Sequence, residues 1–323
     1  MHQCELAPLI PSPQSLIPKM PALLIMGPTA SGKSALALAL AERIGGEIIN
    51  ADSMQVYRDF RVLTARPSVE EEREAPHHLY GHVDAAERYS TGRWLTDALA
   101  AIADIRARNK IPILVGGTGL YFRALTQGLA EMPSIDPELR VALSERATKE
   151  GAPVLHAELA TLDPQTAARL EPNDAPRIIR ALEVIETTGE SITSFQANTK
   201  PALPPAEWRG LALTPEREPL YAAINTRFDK MLEQGALDEV RAFAARDLDP
   251  TLPAIKAHGA PALGAYLRGE LTLAQATEIG QRDTRRYAKR QFTWIANQMP
   301  DWPRIAAPGL SDRLAMAVEK LGE

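Results

Sequence analysis

The sequence has a single cysteine, Cys4, among 323 residues. One cysteine cannot form a disulfide within the chain, which excludes a disulfide-stapled secreted module and fits a reducing cytoplasm. No apolar run approaches the roughly 20 residues of a membrane span, so we expect a cytoplasmic protein without a membrane segment. Positive charge is not in excess either, because the formal net charge is −5. Any contact with nucleic acid must therefore use a local basic face.

Residues 1–20 lack the basic start and continuous apolar stretch of a signal peptide. They include the prolines Pro8, Pro11, Pro13 and Pro18. This composition predicts a disordered leader.

Strand and helix patterns alternate from residue 21 onward. Short apolar runs predict strands at 22–26, 47–50 and 111–115, and helical spacing predicts helices at 34–44 and 91–108. The alternation predicts an α/β fold with a parallel sheet flanked by helices, and residues 211–213 could add one more strand.

The pattern changes near residue 130. Residues 139–149, 153–162 and 176–188 have apolar residues at helical spacing, and no convincing strand interrupts them. We expect an all-helical insertion over 130–205, set into a core made of 21–129 and 206–323.

The pattern G-x-x-x-x-G-K-S follows the first strand and opens the first helix, as a phosphate-binding loop requires. Its residues are Gly27, Pro28, Thr29, Ala30, Ser31, Gly32, Lys33 and Ser34. Backbone N–H groups and the helix N-terminus attract phosphate, Lys33 adds a full charge, and the Ser34 hydroxyl can bind Mg²⁺. A chance glycine-rich turn is the alternative. The motif indicates a diphosphate or triphosphate ligand and an NTPase-like core, but not a reaction.

Two polar residues follow other predicted strands, at the sheet edge where ligands bind in open α/β folds. Asp52 can accept a proton or hold a metal-bound water, or it can cap a helix, with Ser53 as another cap. Thr118, in a glycine-rich turn, can point its hydroxyl into the same cleft or cap the next helix. Spacing alone does not decide between these roles.

Three histidines, His77, His78 and His82, lie close together in the sequence. Zinc binding is conceivable, but no cysteine accompanies them and no helix fixes their geometry. Structural roles are the better interpretation.

Basic residues are concentrated late in this acidic chain. Arg282, Arg286 and Lys289 share a helical face and are interleaved with aromatic residues, which suits a phosphate backbone. A solvated face with salt bridges is the alternative. Arg177 and Arg180 form a second basic pair in the helical insertion. The spacing around Arg227 does not separate a functional role from a surface ion pair.

The chain resembles the tRNA dimethylallyltransferases, also called isopentenyl-tRNA transferases. Beyond the phosphate loop, the matching segments are Asp52-Ser53-Met54-Gln55-Val56-Tyr57, Thr64-Ala65-Arg66-Pro67, Pro76-His77-His78-Leu79, Val115-Gly116-Gly117-Thr118-Gly119-Leu120-Tyr121, Asn173-Asp174 with Arg177 and Arg180-Ala181-Leu182-Glu183, and Thr284-Arg285-Arg286-Tyr287-Ala288-Lys289-Arg290-Gln291. They occur in order from about residue 22 to 298, so the resemblance covers nearly the whole chain.

The resemblance implies transfer of a dimethylallyl group from dimethylallyl diphosphate to the exocyclic amine of an adenosine beside the anticodon. It implies Asp52 as the general base, with Lys33, Ser34, Thr118 and Arg227 around the diphosphate and the reacting centre. It further implies Mg²⁺ as the cofactor and the anticodon stem-loop of tRNA as the partner, with no obligatory protein partner.

The resemblance also implies a set of tRNA-contacting positions. They are Asp52, Ser53, Met54, Gln55, Thr118, Arg140, Pro176, Arg177, Ile178, Ile179, Arg180, Lys256, Ala257, His258, Gly259, Ala260 and Pro261, to which the basic face adds Arg282, Arg286 and Lys289. The chain departs from the family pattern at Pro176, where glutamine is frequent, and near Leu63 and His258. The catalytic positions match the family pattern. We therefore expect these departures to affect the binding of RNA and not the reaction.

Two other functions use the same loop. A small-molecule kinase would bind ATP there and use Asp52 on a substrate hydroxyl, leaving the basic helix and the insertion unexplained. A nucleotide-switched RNA-binding protein would need a guanine-reading motif such as Asn-Lys-x-Asp, which the sequence lacks.

Overall fold

The computed structural model describes residues 21–132, 135–197 and 199–322. The predicted leader, 1–20, lies outside the described residues. Among the described residues, no helix is both long and apolar enough to cross a membrane.

Within that part of the chain, six parallel strands form one sheet in the order β3-β2-β4-β1-β5-β6. Their bounds are β1 Ala22–Met26, β2 Gly46–Asn50, β3 His77–His78, β4 Ile111–Gly116, β5 Trp208–Leu213 and β6 Arg304–Ile305. The parallel α/β fold expected from the sequence is confirmed. The predicted strands at 22–26, 47–50, 111–115 and 211–213 all belong to this sheet.

Helices connect and cover the strands. In chain order they are α1 Lys33–Ile44, α2 Val69–Glu74, α3 Thr91–Ala107, α4 Gly119–Gln127, α5 Pro137–Lys149, α6 Ala152–Leu162, α7 Pro164–Ala167, α8 Ala175–Thr188, α9 Ile192–Ala197, α10 Arg217–Glu233, α11 Ala236–Ala244, α12 Ala260–Leu267, α13 Leu273–Gln298 and α14 Leu310–Gly322.

Several short elements of the structure were not predicted from the sequence patterns. The edge strands β3 and β6 have two residues each, which is too short to show a strand period. Helix α2 is also short, although its start carries a readable signal. Ser68 accepts a hydrogen bond from the Glu71 backbone, and Glu71 accepts one from the Ser68 backbone, forming a capping box.

The chain divides into two compact units, one from Arg123 to Leu203 and the other from the residues before and after that stretch. The divisions lie near the expected bounds of 130 and 205. The smaller unit is helical, and its buried core includes Leu155, Leu159 and Leu182. Its contact with tRNA stays a prediction.

The sheet of the larger unit places the functional segments together. Strand β1 lies between β4 and β5, and β2 lies on the other side of β4. In the register, Met26 pairs with Gly116, and Asn50 pairs with Val115. Parallel strands end at the same sheet edge, so the loops after β1, β2 and β4 meet there.

Candidate active site

The phosphate loop leaves β1 at Gly27 and enters α1 at Lys33. Two of its residues have left-handed backbone conformations, Ala30 with φ 64° and Gly32 with φ 81°. Such alternation turns successive N–H groups toward one side of the loop, which creates an anion-binding concavity. Alanine rarely adopts this conformation, so the strain at Ala30 must be held by the surrounding structure.

One contact that holds the loop comes from the far end of the sequence. Gln291 on α13 is 3% exposed. Its side-chain oxygen accepts a hydrogen bond from the Thr29 backbone at 2.8 Å, and its amide nitrogen donates to the Gly117 carbonyl at 3.0 Å. Gln291 therefore ties the phosphate loop to the turn after β4.

Asp52 is fixed by the last residue of β2. The fully buried Asn50 side chain accepts from the Asp52 backbone N–H at 2.8 Å and donates to the Asp52 carbonyl at 3.0 Å. The Asp52 carboxylate accepts from the Met54 N–H at 3.0 Å, which makes a turn. The residues that follow form turns, so Asp52 does not cap a helix, and its side chain also lines a cleft.

Thr118 faces the same loop. Its hydroxyl accepts a hydrogen bond from the Ser53 N–H at 2.9 Å and donates to the Ser53 hydroxyl at 3.3 Å. The close approach requires Gly116, because a Cβ at that position would lie 2.0 Å from the Ala51 carbonyl oxygen. The glycine-rich turn thus serves to bring Thr118 against the segment that carries Asp52.

Arg227 is on α10, and its guanidinium donates to the Thr29 hydroxyl. Burial lowers its pKa, and the Asp52 carboxylate acts in the opposite direction. Burial also lowers the pKa of Lys33 to about 8, again opposed by Asp52, while Arg227 lowers it further. Two desolvated cations and one carboxylate therefore share one electrostatic environment.

A cleft opens between these groups. Its polar lining includes Thr29, Asp52 and Arg227, and its apolar lining includes Met54, Leu63, Ile224, Phe228 and Met231. An apolar wall beside a carboxylate and a phosphate loop suits a small hydrocarbon group attached to a diphosphate.

The predicted basic face lies on α13. Arg282 bonds Asp283 at 3.2 Å, and Arg286, with 66% of its side chain exposed, lies 3.6 Å from the same carboxylate. Lys289 is exposed. The surface is therefore accessible to a phosphate backbone, and its binding of tRNA stays a prediction.

The predicted tRNA positions in the smaller unit are partly paired with an acid. Glu183, 2% exposed, bonds Arg140 at 2.7 Å and Arg180 at 2.9 Å. Arg177 is 73% exposed and pairs with Asp174 at 2.9 Å. Ile178 needs a correction, because its side chain is fully buried in the helical core and is not available to RNA.

The predicted tRNA positions of the larger unit also divide by burial. Ala257 and Ala260 are buried, so their side chains do not offer a contact surface, whereas Lys256 is exposed. His258 packs against Tyr287 with 4.5 Å between ring centroids and lines the cleft. Gln55 has a structural task, since its amide donates to the carbonyls of Thr64 and Ala65 at 2.8 Å each.

The contacts of these histidines do not support a zinc site. His78 bonds the Glu47 carboxylate at 2.7 Å, and His77 contacts the Ala75 carbonyl at 2.7 Å. In the described ranges no group of three or more His, Cys, Asp or Glu residues is arranged to hold a metal ion. The histidines therefore have structural partners.

Three residues that complete the site were not singled out from the sequence as site residues. They are Asn50, Tyr287 and Gln291. Asn50 has a readable signal, being a polar residue at the end of an apolar strand. Gln291 and Tyr287 lie in a segment that matches the family, but their spacing gave no indication of their roles, because their partners are remote in sequence.

Known protein families and individual relatives match this chain over most of its length. The family model described as IPP transferase matches residues 55–298, and the one described as isopentenyl transferase matches residues 20–80. The chain belongs to the IPP transferase family. A relative from Nitrobacter hamburgensis, named tRNA dimethylallyltransferase, is 57% identical over 87% of this chain and 89% of its own length. One of the same name from Azorhizobium caulinodans is 58% identical over 91% and 94%.

Solved structures agree with the family. The tRNA isopentenylpyrophosphate transferase of Bacillus halodurans is 34% identical with a TM-score of 0.68, over 94% of this chain and 97% of that one. A eukaryotic dimethylallyltransferase acting on tRNA is 30% identical with a TM-score of 0.79, over 94% and 77%. The kinase alternative is set aside, because IPP transferase relatives share the whole arrangement and not the loop alone.

Proposed function

We propose that this protein transfers a dimethylallyl group from dimethylallyl diphosphate to the N6 amine of the adenosine adjacent to the anticodon in tRNA. The observation that carries the proposal is the cleft that joins Asp52, Arg227 and the phosphate loop to an apolar wall. Membership of the IPP transferase family, whose relatives are named tRNA dimethylallyltransferases, supports it. We place the reaction in the cytoplasm.

Asp52 is the proton acceptor in this proposal. The exocyclic amine of adenine is a poor nucleophile because its lone pair is delocalised into the ring. As the bond from N6 to the allylic carbon forms, the carbon–oxygen bond breaks, its electron pair leaves with pyrophosphate, and the N6 proton passes to the Asp52 carboxylate. Asn50 fixes the backbone of Asp52 and thereby sets the position of that carboxylate.

The leaving group gains charge as the bond breaks. The loop N–H groups, Lys33 and Arg227 are fixed donors at the place where this charge develops. Thr29 is held from both sides, by Gln291 at its N–H and by Arg227 at its hydroxyl. Thr118 lies beside Ser53, where it can orient the adenine against Asp52.

Magnesium fits the donors at the loop. Ser34, in the first turn of α1, presents an exposed hydroxyl, and the described residues provide no carboxylate cage for a metal. Mg²⁺ commonly keeps several waters and binds one or two protein oxygens together with substrate phosphates. When bound, the ion would offset the charge of the diphosphate. We propose Ser34 as its protein ligand.

The adenosine must leave its base stack to reach the cleft. Unstacking costs about a few kcal/mol and less in a flexible loop, so single-stranded anticodon loops are favoured over duplex. The exposed Arg286 and Lys289 on α13 supply positive charge for the RNA backbone.

The test is a transfer assay with two donors. The full chain is incubated with Mg²⁺ and unmodified tRNA, in parallel with labelled dimethylallyl diphosphate and with ATP labelled at its terminal phosphate. We expect label in tRNA only from the prenyl donor, and loss of the reaction on chelation of Mg²⁺. Phosphoryl transfer without prenyl transfer contradicts the proposal.

A further inference from the structure

The segment 61–65 lies between β2 and α2 and forms turns, without helix or strand. Its backbone N–H groups therefore need partners other than those of regular secondary structure. Ala65 in this segment has a left-handed backbone conformation, with φ 53°, which alanine seldom adopts. Contacts from elsewhere in the chain must hold these turns in place.

Glu239 on α11 provides such contacts from a remote part of the chain. One of its carboxylate oxygens accepts from the Arg61 N–H at 2.9 Å and from the Val62 N–H at 2.8 Å. The other oxygen accepts from the Leu63 N–H at 3.0 Å. Consecutive N–H groups that converge in this way form an anion-binding concavity, and the Glu239 carboxylate occupies it. One charged side chain therefore fixes three successive residues of the segment.

The segment fixed by Glu239 forms part of the cleft. Of the described residues, Leu63 and Thr64 line the cleft, whereas Glu239 does not. Leu63 is 6% exposed and packs in the same hydrophobic core as Phe228 and Met231, which also line the cleft. Glu239 can therefore influence a ligand in the cleft through the residues that it holds, without touching the ligand.

We propose that Glu239 is a positioning residue, which holds Leu63 and Thr64 in place to receive the hydrocarbon group of the donor. The inference rests on the proposed function, since it takes dimethylallyl diphosphate as the ligand of the cleft. An apolar wall that is ordered in advance gains the full benefit of burying the hydrocarbon, because the ligand does not have to order it.

The phosphate loop is held by different residues. Gln291 and Arg227 bond Thr29, whereas Glu239 bonds only the segment that carries Leu63 among these contacts. Loosening that segment should therefore weaken the binding of the hydrocarbon group and leave the binding of the diphosphate unchanged. This separation gives the proposal a measurable signature.

The experiment compares Glu239→Gln with the unchanged protein in the prenyl-transfer assay. Glutamine keeps the size of the side chain but replaces one accepting oxygen by an NH₂ group, so at least one of the three N–H groups loses its acceptor. We expect the KM for dimethylallyl diphosphate to rise about threefold to tenfold with kcat within about twofold, as for the loss of an interaction that is equal in the ground state and the transition state. Asp238→Asn, at the neighbouring position with 78% of its side chain exposed, is the matched control.

Inorganic pyrophosphate lacks the hydrocarbon group, so its inhibition constant should be the same in Glu239→Gln and in the unchanged protein. An unchanged KM for the donor overturns the proposal, and so does a parallel rise of the KM and the inhibition constant, which would indicate a general defect of the site. The double variant with Leu63→Ala tests the route. Its KM should rise by less than the product of the two separate effects, because both substitutions disturb the same wall. Effects that multiply contradict the proposal.

Amide hydrogen exchange tests the hold on the segment without any activity measurement. Exchange in residues 61–65 should be faster in Glu239→Gln than in Asp238→Asn, while exchange in β1 should be equal in the two variants. Equal exchange in residues 61–65 overturns the proposal. Thermal unfolding is recorded first, and if Glu239→Gln does not fold, Glu239→Asp, whose carboxylate has a shorter reach, is judged by the same criteria. Absence of prenyl transfer by the unchanged protein overturns the proposed function, and the exchange data still decide whether Glu239 holds the segment.

Discussion

The cations around the phosphate loop differ from those on the predicted RNA surfaces in what they are bonded to. Arg227 donates to the Thr29 hydroxyl, and the Lys33 ammonium approaches the Pro28 carbonyl at 3.5 Å. Their hydrogen-bond partners are neutral. Arg140 and Arg180 instead share the buried Glu183 carboxylate, and Arg286 lies beside Asp283.

The difference separates two ways of binding phosphate. Cations with neutral hydrogen-bond partners have no carboxylate to exchange when a ligand binds, and they are held in place before it arrives, as stabilisation of a leaving group requires. Cations paired with acids contribute to folding, and they would have to exchange or share a carboxylate in order to bind RNA. The strength of such exposed contacts falls as ionic strength rises, whereas the electrostatic interactions in the buried site are screened less.

The largest effect on activity is expected at Asp52, whose carboxylate acts electrostatically on both Lys33 and Arg227. Asp52→Asn keeps the size of the side chain but removes the proton acceptor. We expect kcat for prenyl transfer to fall by about 10²–10⁴ with tRNA still bound, measured by single-turnover transfer and filter binding. Asp238→Asn, at an exposed position on α11, is the control. Normal turnover in Asp52→Asn would falsify the base assignment.

The titration of Lys33 gives the next largest effect. Burial lowers its pKa to about 8, so the ammonium that we propose to bind diphosphate is present below that pH and is lost above it. The kcat/KM for dimethylallyl diphosphate should fall about tenfold per pH unit beyond about 8. Lys33→Met should be slow at every pH, and its kcat/KM should not decline above pH 8. If the decline persists in Lys33→Met, it reports the titration of another group.

Substitutions on the basic face of α13 should have a smaller effect. They should change tRNA affinity and its salt dependence and not kcat. Arg286→Ala combined with Lys289→Ala should weaken tRNA binding several-fold and reduce the slope of log affinity against log salt by roughly 1.4 to 1.8, because two phosphate contacts are lost. Affinity is measured across a salt series. Arg241→Ala with Arg268→Ala removes two exposed arginines elsewhere and should leave the slope unchanged. An unchanged slope in the α13 variant removes this helix from the interface.

The smallest effect is expected on stability, at Glu183. Burial raises the pKa of its carboxyl, but hydrogen bonds from Arg140 and Arg180 outweigh burial, and the pKa lies below its usual value. The stability that this depressed pKa provides is present at neutral pH and is lost as the pH falls through the folded-state pKa. Glu183→Gln should cost about 1–3 kcal/mol, since the arginines are partly exposed and screened.

Thermal unfolding from pH 3 to 7 checks this linkage. The midpoint of Glu183→Gln should be lower by a few degrees at pH 7 and should approach that of the unchanged protein in acid. Glu138→Gln, in the exposed first turn of α5, should have little effect. Equal midpoints for Glu183→Gln and the unchanged protein at pH 7 contradict the importance of the pair.

The sequence predicts the parallel core because its signals are local. Buried strands such as 22–26 are continuous apolar runs, and the phosphate loop is a contiguous motif whose backbone geometry depends on its own glycine residues. The positions of Asp52 and Thr118 follow too, since each directly succeeds a strand of the same sheet. Those inferences need no knowledge of distant contacts.

The remainder depends on partners far away in sequence. Gln291 and Glu239 are ordinary polar residues on helices until the fold places them against Thr29 and Leu63. Similarly, Ile178 belongs to a stretch that resembles RNA-contacting residues, but helical periodicity turns its side chain into the core. Spacing identifies the segment, and packing decides which of its side chains are available.

The bond between Thr29 and Gln291 also has a consequence for biosynthesis. The ribosome makes the phosphate loop early, but the residue that clamps it lies 262 positions later. At about 5–20 residues per second, the loop waits roughly 13 to 50 seconds for its clamp. A nascent or truncated chain ending before α13 therefore lacks the hydrogen bond from Thr29 to Gln291 that holds the phosphate loop, and we expect such a fragment to be inactive.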